Sequence, residues 1–126
     1  MSEKSIRTRL QLKAGRTLLI VDPPDGYVKN LGEVPAGADV TRQLQPAFIV
    51  QVFIRSQIEL SAAIERYAPL VLPGGMLWLT YPKLTSKMKS DIHRDSINDF
   101  AKLNGWIGIA IISIDADWSA LRLKRI

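Results

Sequence analysis

The segment Phe48-Ile49-Val50-Gln51-Val52-Phe53-Ile54 is apolar at every position but Gln51. In an extended chain successive side chains point to opposite sides, so this run presents apolar groups both ways. Such a strand belongs at the centre of a sheet that is covered on both faces. That requirement favours three layers, with helices on either side of a largely parallel sheet, over a two-layer fold with one wet face.

The rest of the chain supplies the parts. Leu18-Leu19-Ile20-Val21 reads as a buried first strand, stopped by the turn composition Asp22-Pro23-Pro24-Asp25-Gly26. Val40, Arg42 and Leu44 alternate with Thr41 and Gln43, which predicts a half-exposed second strand at an edge. After the central run, Ser56 followed by Glu59 has the spacing of a helix cap, and Leu60, Ala63, Ile64, Tyr67 and Val71 recur at helical steps. This helix is expected to end before Pro73-Gly74-Gly75. A strand over residues 76–81 then leads to Pro82, and a second helix is predicted over residues 91–103, with Ser90 or Asp91 as cap and Asn104-Gly105 as exit. Residues 107–114 form another apolar strand, and Asp115-Ala116-Asp117 is short enough to join it to residues 118–124 as an antiparallel hairpin. The order strand, helix, strand, helix, strand predicts a small Rossmann-like α/β fold, mostly parallel, occupying residues 1–126 as a single domain.

Composition removes several chemistries. The 126 residues contain no cysteine and one histidine, His93, so thiolate zinc sites, disulfides, cysteine nucleophiles and histidine-based metal clusters are all excluded. The first residues carry no apolar leader, and the longest apolar run, over residues 106–114, is too short to span a bilayer. These features predict a cytoplasmic protein without a membrane partner. The net charge of +5 is spread over both halves and permits an anionic ligand without demanding one. Arg7, Arg9, Lys13 and Arg16, with Arg122, Lys124 and Arg125, would make a nucleic-acid surface only if they faced one another; no aromatic residues are interleaved among them and no reading motif is present, so a nucleic-acid partner is not expected.

Two resemblances follow from particular residues. Leu70-Val71-Leu72-Pro73-Gly74-Gly75-Met76-Leu77-Trp78-Leu79, ahead of a helix, an apolar strand and a closing hairpin, resembles the second half of Rossmann-like methyltransferases that use S-adenosylmethionine. The resemblance implies that cofactor, but the glycine-rich turn of those enzymes is replaced here by Asp22-Pro23-Pro24-Asp25-Gly26-Tyr27, and the second strand ends in Leu44-Gln45 with no acidic residue for a ribose. No cofactor is therefore assigned. Over most of its length the chain is also similar to a small uncharacterised bacterial family. The matching residues are Leu77, Trp78, Pro82 and Lys83, then Ser86 and Asp91, and finally Asp115, Trp118 and Ser119, with Tyr81 standing where that family carries Trp. This second resemblance implies a fold and the position of a site, and supplies no reaction.

In an open parallel sheet the ligand crevice lies outside the carboxyl ends of the strands. That rule selects Asp22, Tyr27, Tyr81, Lys83, Ser86, Asp91, Asp115, Trp118 and Ser119 as candidate ligand-binding residues. Lys83, Lys87 and Lys89 offer ammonium groups ahead of a helix N-terminus, or form a solvated loop. Asp115 and Asp117 suit either an acid/base pair or a turn held by local backbone bonds. Trp118 suits either a stacking platform or core packing. Catalytic residues are not assigned. Three functions compete: a reduced methyltransferase-like module binding a small anionic or nucleotide-like molecule, a divergent S-adenosylmethionine-dependent methyltransferase, and an interaction domain that recruits a protein partner or a second copy of itself.

Overall fold

The computed structural model describes residues 5–126. Strands β1 (Thr17–Val21), β2 (Asp39–Thr41), β3 (Ala47–Phe53), β4 (Val71–Pro82), β5 (Trp106–Ser113) and β6 (Trp118–Arg125) form one sheet in the order β2-β1-β3-β4-β6-β5. β1, β2, β3 and β4 are parallel, and β6 runs antiparallel to both β4 and β5. This is a Rossmann-like α/β architecture with an antiparallel closing hairpin. The two-sided apolar run is indeed interior: β3 lies between β1 and β4, with Leu18 paired to Ile49 and Val50 to Leu77.

One face is covered by α3 (Gln57–Ala62), which continues through a wide π turn (Ala63–Tyr67) and a tight 3-10 turn (Ala68–Leu70), and by α4 (Arg94–Leu103). Leu19, Val50, Val52, Leu60, Ile97 and Leu121 make the core on that side. The other face is covered by the short helices α1 (Ile6–Arg9) and α2 (Tyr27–Asn30) and the segment after α1, over Leu18, Ile20, Ile49, Phe53 and Trp78. Burying each such large side chain stabilises by about 1.5–3 kcal/mol. Trp78 meets the polar requirement of its ring by donating from Nε1 to the Leu10 carbonyl at 3.2 Å.

Gln51, the polar position in the central strand, is fully buried. Its Oε1 accepts the Tyr27 hydroxyl at 2.9 Å and its Nε2 donates to Thr80 Oγ1 at 3.1 Å. The relay Tyr27, Gln51, Thr80 thus satisfies the buried amide through two other elements, as a buried polar group requires.

Several element boundaries differ from the sequence expectation. β2 ends at Thr41 rather than Leu44, because Thr41 Oγ1 accepts the Gln43 amide at 3.1 Å and turns the chain toward β3. Val71 opens β4, paired with Ala47, instead of ending a helix; the π and 3-10 turns, the latter containing Pro69, terminate the helical path first. Pro73-Gly74-Gly75 lies inside β4 as a bulge, since the register jumps from Ala47–Val71 to Ile49–Met76. A bulge tolerates a proline that has no ladder N–H to give, and a Cβ on Gly75 would lie 2.3 Å from the Phe48 carbonyl oxygen. α4 starts at Arg94, three residues after the expected Asp91, with Ser96 Oγ accepting the His93 amide at 2.9 Å. The apolar strand β5 is an edge strand on which Ile109 and Ile111 are exposed. Among the described residues no helix is long and apolar enough to cross a membrane.

Candidate functional site

Where β4 ends, beside the start of α4, the surface opens into a cavity of about 390 Å³ lined by the polar residues Tyr81, Lys83, Thr85, His93, Arg94, Asp95 and Ser119 and by Leu84 and Ile111. Tyr81 and Ser119 are register partners on β4 and β6, so sheet pairing itself places a phenol and a hydroxyl side by side. Burial raises the Tyr81 pKa above its ordinary value, an effect that nearby Arg94 opposes and Asp95 reinforces. The phenol is therefore a neutral donor at physiological pH. Lys83 Nζ donates to Ser113 Oγ at 2.6 Å, which holds the ammonium at the rim. Arg94 pairs with Asp95 at 3.4 Å, both side chains being largely solvent-exposed, a contact of little strength that leaves the guanidinium available. Two cations, an imidazole and three hydroxyls beside one carboxylate suit an anionic ligand.

The predicted site residues divide accordingly. Tyr81, Lys83 and Ser119 meet in the cavity. Tyr27 and Trp118 are buried on the opposite side of the sheet, where the Phe53 ring stands edge-on to both, with centroids 4.6 and 5.0 Å away. Their rings serve as core, and Trp118 is further covered by the Arg55 guanidinium 5.1 Å above it. Ser86 donates to Asp117 Oδ1 at 2.9 Å, while the Lys83 amide donates to the Asp117 carbonyl at 2.8 Å. Asp115 Oδ1 accepts the amides of Asp117 and Trp118 at 2.8 and 3.0 Å, which is turn fixing. Asp91 accepts the Gln57 amide at 2.8 Å at the start of α3. Lys83, Ser86 and Asp91 thus fasten the segments that frame the crevice to other parts of the chain, while Asp115 fixes its own turn. Asp22 is exposed at the end of β1 in a left-handed conformation, with φ of 54°.

His93 and Arg94, like Leu84, Thr85, Asp95 and Ile111, line the cavity and were not among the residues selected from the sequence. Starting the helix at Asp91 hid His93 and Arg94 inside its first turns. The loop lysines Lys87 and Lys89 are exposed and do not line the cavity. Of the basic residues weighed for a nucleic-acid surface, Arg7, Arg9, Arg16 and Arg125 each donate to backbone carbonyls, of Leu31, Ser113, Gln11 and Val71 respectively. Among the described residues no group of three metal-ligating side chains occurs.

Comparison with solved structures gives the fold its relatives. The chain superposes on a ribosomal protein L11 methylase from Lactobacillus delbrueckii subsp. bulgaricus with a TM-score of 0.60 at 11% identity, covering 95% of this chain and 74% of that one. The DhpI–SAH complex gives a TM-score of 0.60 at 10% identity, with 96% and 82% covered. The B. subtilis tRNA methyltransferase TrmK gives 0.58 at 8% identity, with 99% and 67% covered. The fold is that of Rossmann-like methyltransferases. No protein-family model and no curated protein matches the sequence.

One of these neighbours is an SAH complex; the residues of this chain fit S-adenosylmethionine poorly in the glycine-turn mode. Pro23 and Pro24 remove backbone donors directly after β1. The side chain of Tyr27, which follows them, is committed to Phe53 and Gln51. β2 is followed by Arg42 rather than by a carboxylate.

Proposed function

We propose that this protein is a methyltransferase-like module of the cytoplasm that binds a small anionic or nucleotide-like molecule in the crevice formed by Tyr81, Lys83, His93, Arg94 and Ser119. The observation carrying the reading is the cavity itself: it sits at the carboxyl end of β4, where open α/β sheets bind ligands, and cations and neutral donors outnumber carboxylates in it. The similarity to the uncharacterised bacterial family supports the same position, since its residues Lys83, Ser86, Asp91 and Asp115 hold the surrounding loops. The reading requires neither a membrane nor a nucleic acid.

A second reading, a divergent S-adenosylmethionine-dependent methyltransferase, is favoured by the shared fold alone. One experiment separates them: a thermal-shift screen against S-adenosylmethionine, its demethylated product, nucleotides and simple anions, repeated with Lys83→Ala and Arg94→Gln. A ligand at about 100 times its Kd stabilises by about 2.7 kcal/mol, several degrees for a domain of this size. A shift with an anion or nucleotide that both variants weaken supports the module. A shift confined to S-adenosylmethionine and its product favours the enzyme, and silence toward every compound turns the search to a protein partner.

A further inference from the structure

At the opposite end of the sheet lies a second concavity, of about 620 Å³, between the β4 bulge (Pro73, Gly74 and Gly75) and the basic end of β6 (Arg122, Lys124 and Arg125). It contains no acidic residue, and the two ion pairs found among the described residues, Arg55–Glu59 and Arg94–Asp95, are elsewhere. Arg122 and Lys124 are two positions apart on one strand and therefore share a face, about 7 Å from each other. Like charges so placed repel. Among the described residues the buried Nε of Arg122 has no partner, whereas Arg125 is committed to the carbonyls of Ala68 and Val71 and stacks 4.7 Å from the Trp106 ring. Among the described residues, two cations without an ion-pair partner, and a third that is structural, thus line one glycine-flanked hollow. Gly74, at φ of 79°, and Gly75, whose Cβ would meet the Phe48 carbonyl oxygen, form the bulge that lines one side of the hollow.

We propose that this hollow is a second binding site, specific for an oligophosphate group, with Arg122 and Lys124 as its charged contacts. A compact polyanion relieves the repulsion between the two cations and gives the Arg122 guanidinium acceptors in the fork geometry that phosphate oxygens match. Convergence of the charges on one hollow of small-ligand size favours a compact oligophosphate over an extended strand of nucleic acid.

The test is an amide NMR titration of the whole chain with tripolyphosphate at about 0.15 M ionic strength, with sodium sulfate of matched ionic strength as the screening control. Amide shifts concentrated at Gly74, Gly75, Arg122 and Lys124, and an affinity read at those amides that falls roughly tenfold in Lys124→Gln and in Arg122→Gln while Lys87→Gln, at an exposed lysine lining neither cavity, leaves it unchanged, support the site. Lys124 is exposed, so its variant leaves the core untouched. Three results overturn the proposal: shifts that sulfate reproduces, parental affinity in Lys124→Gln, or preferential binding of a single-stranded oligonucleotide with shifts spreading to Lys13 and Arg42.

Discussion

Asp91 and Gln57 are 34 residues apart, and the Asp91 carboxylate accepts the Gln57 amide at 2.8 Å. Gln57 is the first residue of α3, whose third amide, that of Glu59, is taken by Ser56 Oγ at 3.2 Å. Two side chains from separate segments therefore satisfy the start of one helix. The bond also ties the segment preceding α4, and with it one wall of the candidate crevice, to α3.

Replacing Asp91 by alanine is expected to cost about 1 kcal/mol, the usual worth of a lost helix-capping side chain. Urea unfolding should show a lower midpoint with an unchanged slope. An unaltered midpoint would show that the contact adds no stability and that Asp91 must be sought in ligand binding instead.

Tyr27 gives the fold an alkaline limit. Burial raises its pKa well above the ordinary 10.0, and the Gln51 hydrogen bond offsets this only in part. The unfolded chain therefore loses this proton first, so the stabilising contribution is complete below pH 10 and declines as pH rises beyond it. Tyr27→Phe should lower stability at neutral pH by about 1 kcal/mol, through the unpaired Gln51 oxygen, and should flatten the decline above pH 10. Parallel pH profiles for the two proteins would disprove the assignment to Tyr27.

Gly75→Ala is expected to destabilise by about 1–3 kcal/mol, as overpacking does, because its Cβ would meet backbone atoms, the Phe48 and Leu72 carbonyl oxygens at 2.3 and 2.9 Å. Gly105→Ala serves as the comparison. There φ is 87° but the space is open, so its cost of about 1–2 kcal/mol is the left-handed backbone alone. Thermal unfolding that ranks Gly105→Ala as equal or worse would remove close contact at the bulge as the reason for Gly75.

Asp115→Ala should cost about 1–2 kcal/mol, since two amides lose their acceptor at the hairpin turn. Asp117→Ala removes only the Ser86 contact from the side chain and should cost less than half as much. Calorimetry on both variants tests this, and the reverse order would revive a functional role for Asp115.

The architecture was legible because hydrophobic periodicity reports it directly. A strand apolar on both sides can stand only in the middle of a covered sheet, and β3 stands there. Boundaries were less legible wherever a local signal competed with a distant partner. Pro73-Gly74-Gly75 has the composition of a chain break, yet parallel pairing of Ala47 with Val71 carries the strand through it as a bulge. Asp91 has the composition of a cap for the helix that follows, and it satisfies the helix that precedes.

The candidate crevice was legible only in position. Tyr81, Lys83 and Ser119 were chosen because strand ends are where open sheets bind ligands, and they do converge. His93 and Arg94 join them through the packing of α4 against β5, which no local pattern records. For Tyr27 and Trp118 the deciding fact was which side of the sheet each ring entered. Both enter the core beside Phe53.

The order of apolar and polar residues thus determined the layers, the central strand and the closing hairpin, since burial of apolar surface depends on spacing along the chain. Tertiary structure alone decided which polar side chains remain free for a ligand. A carboxylate, hydroxyl or guanidinium is consumed by whichever group folding brings to it, and at Asp91, Ser86 and Arg125 that group comes from another turn, loop or strand.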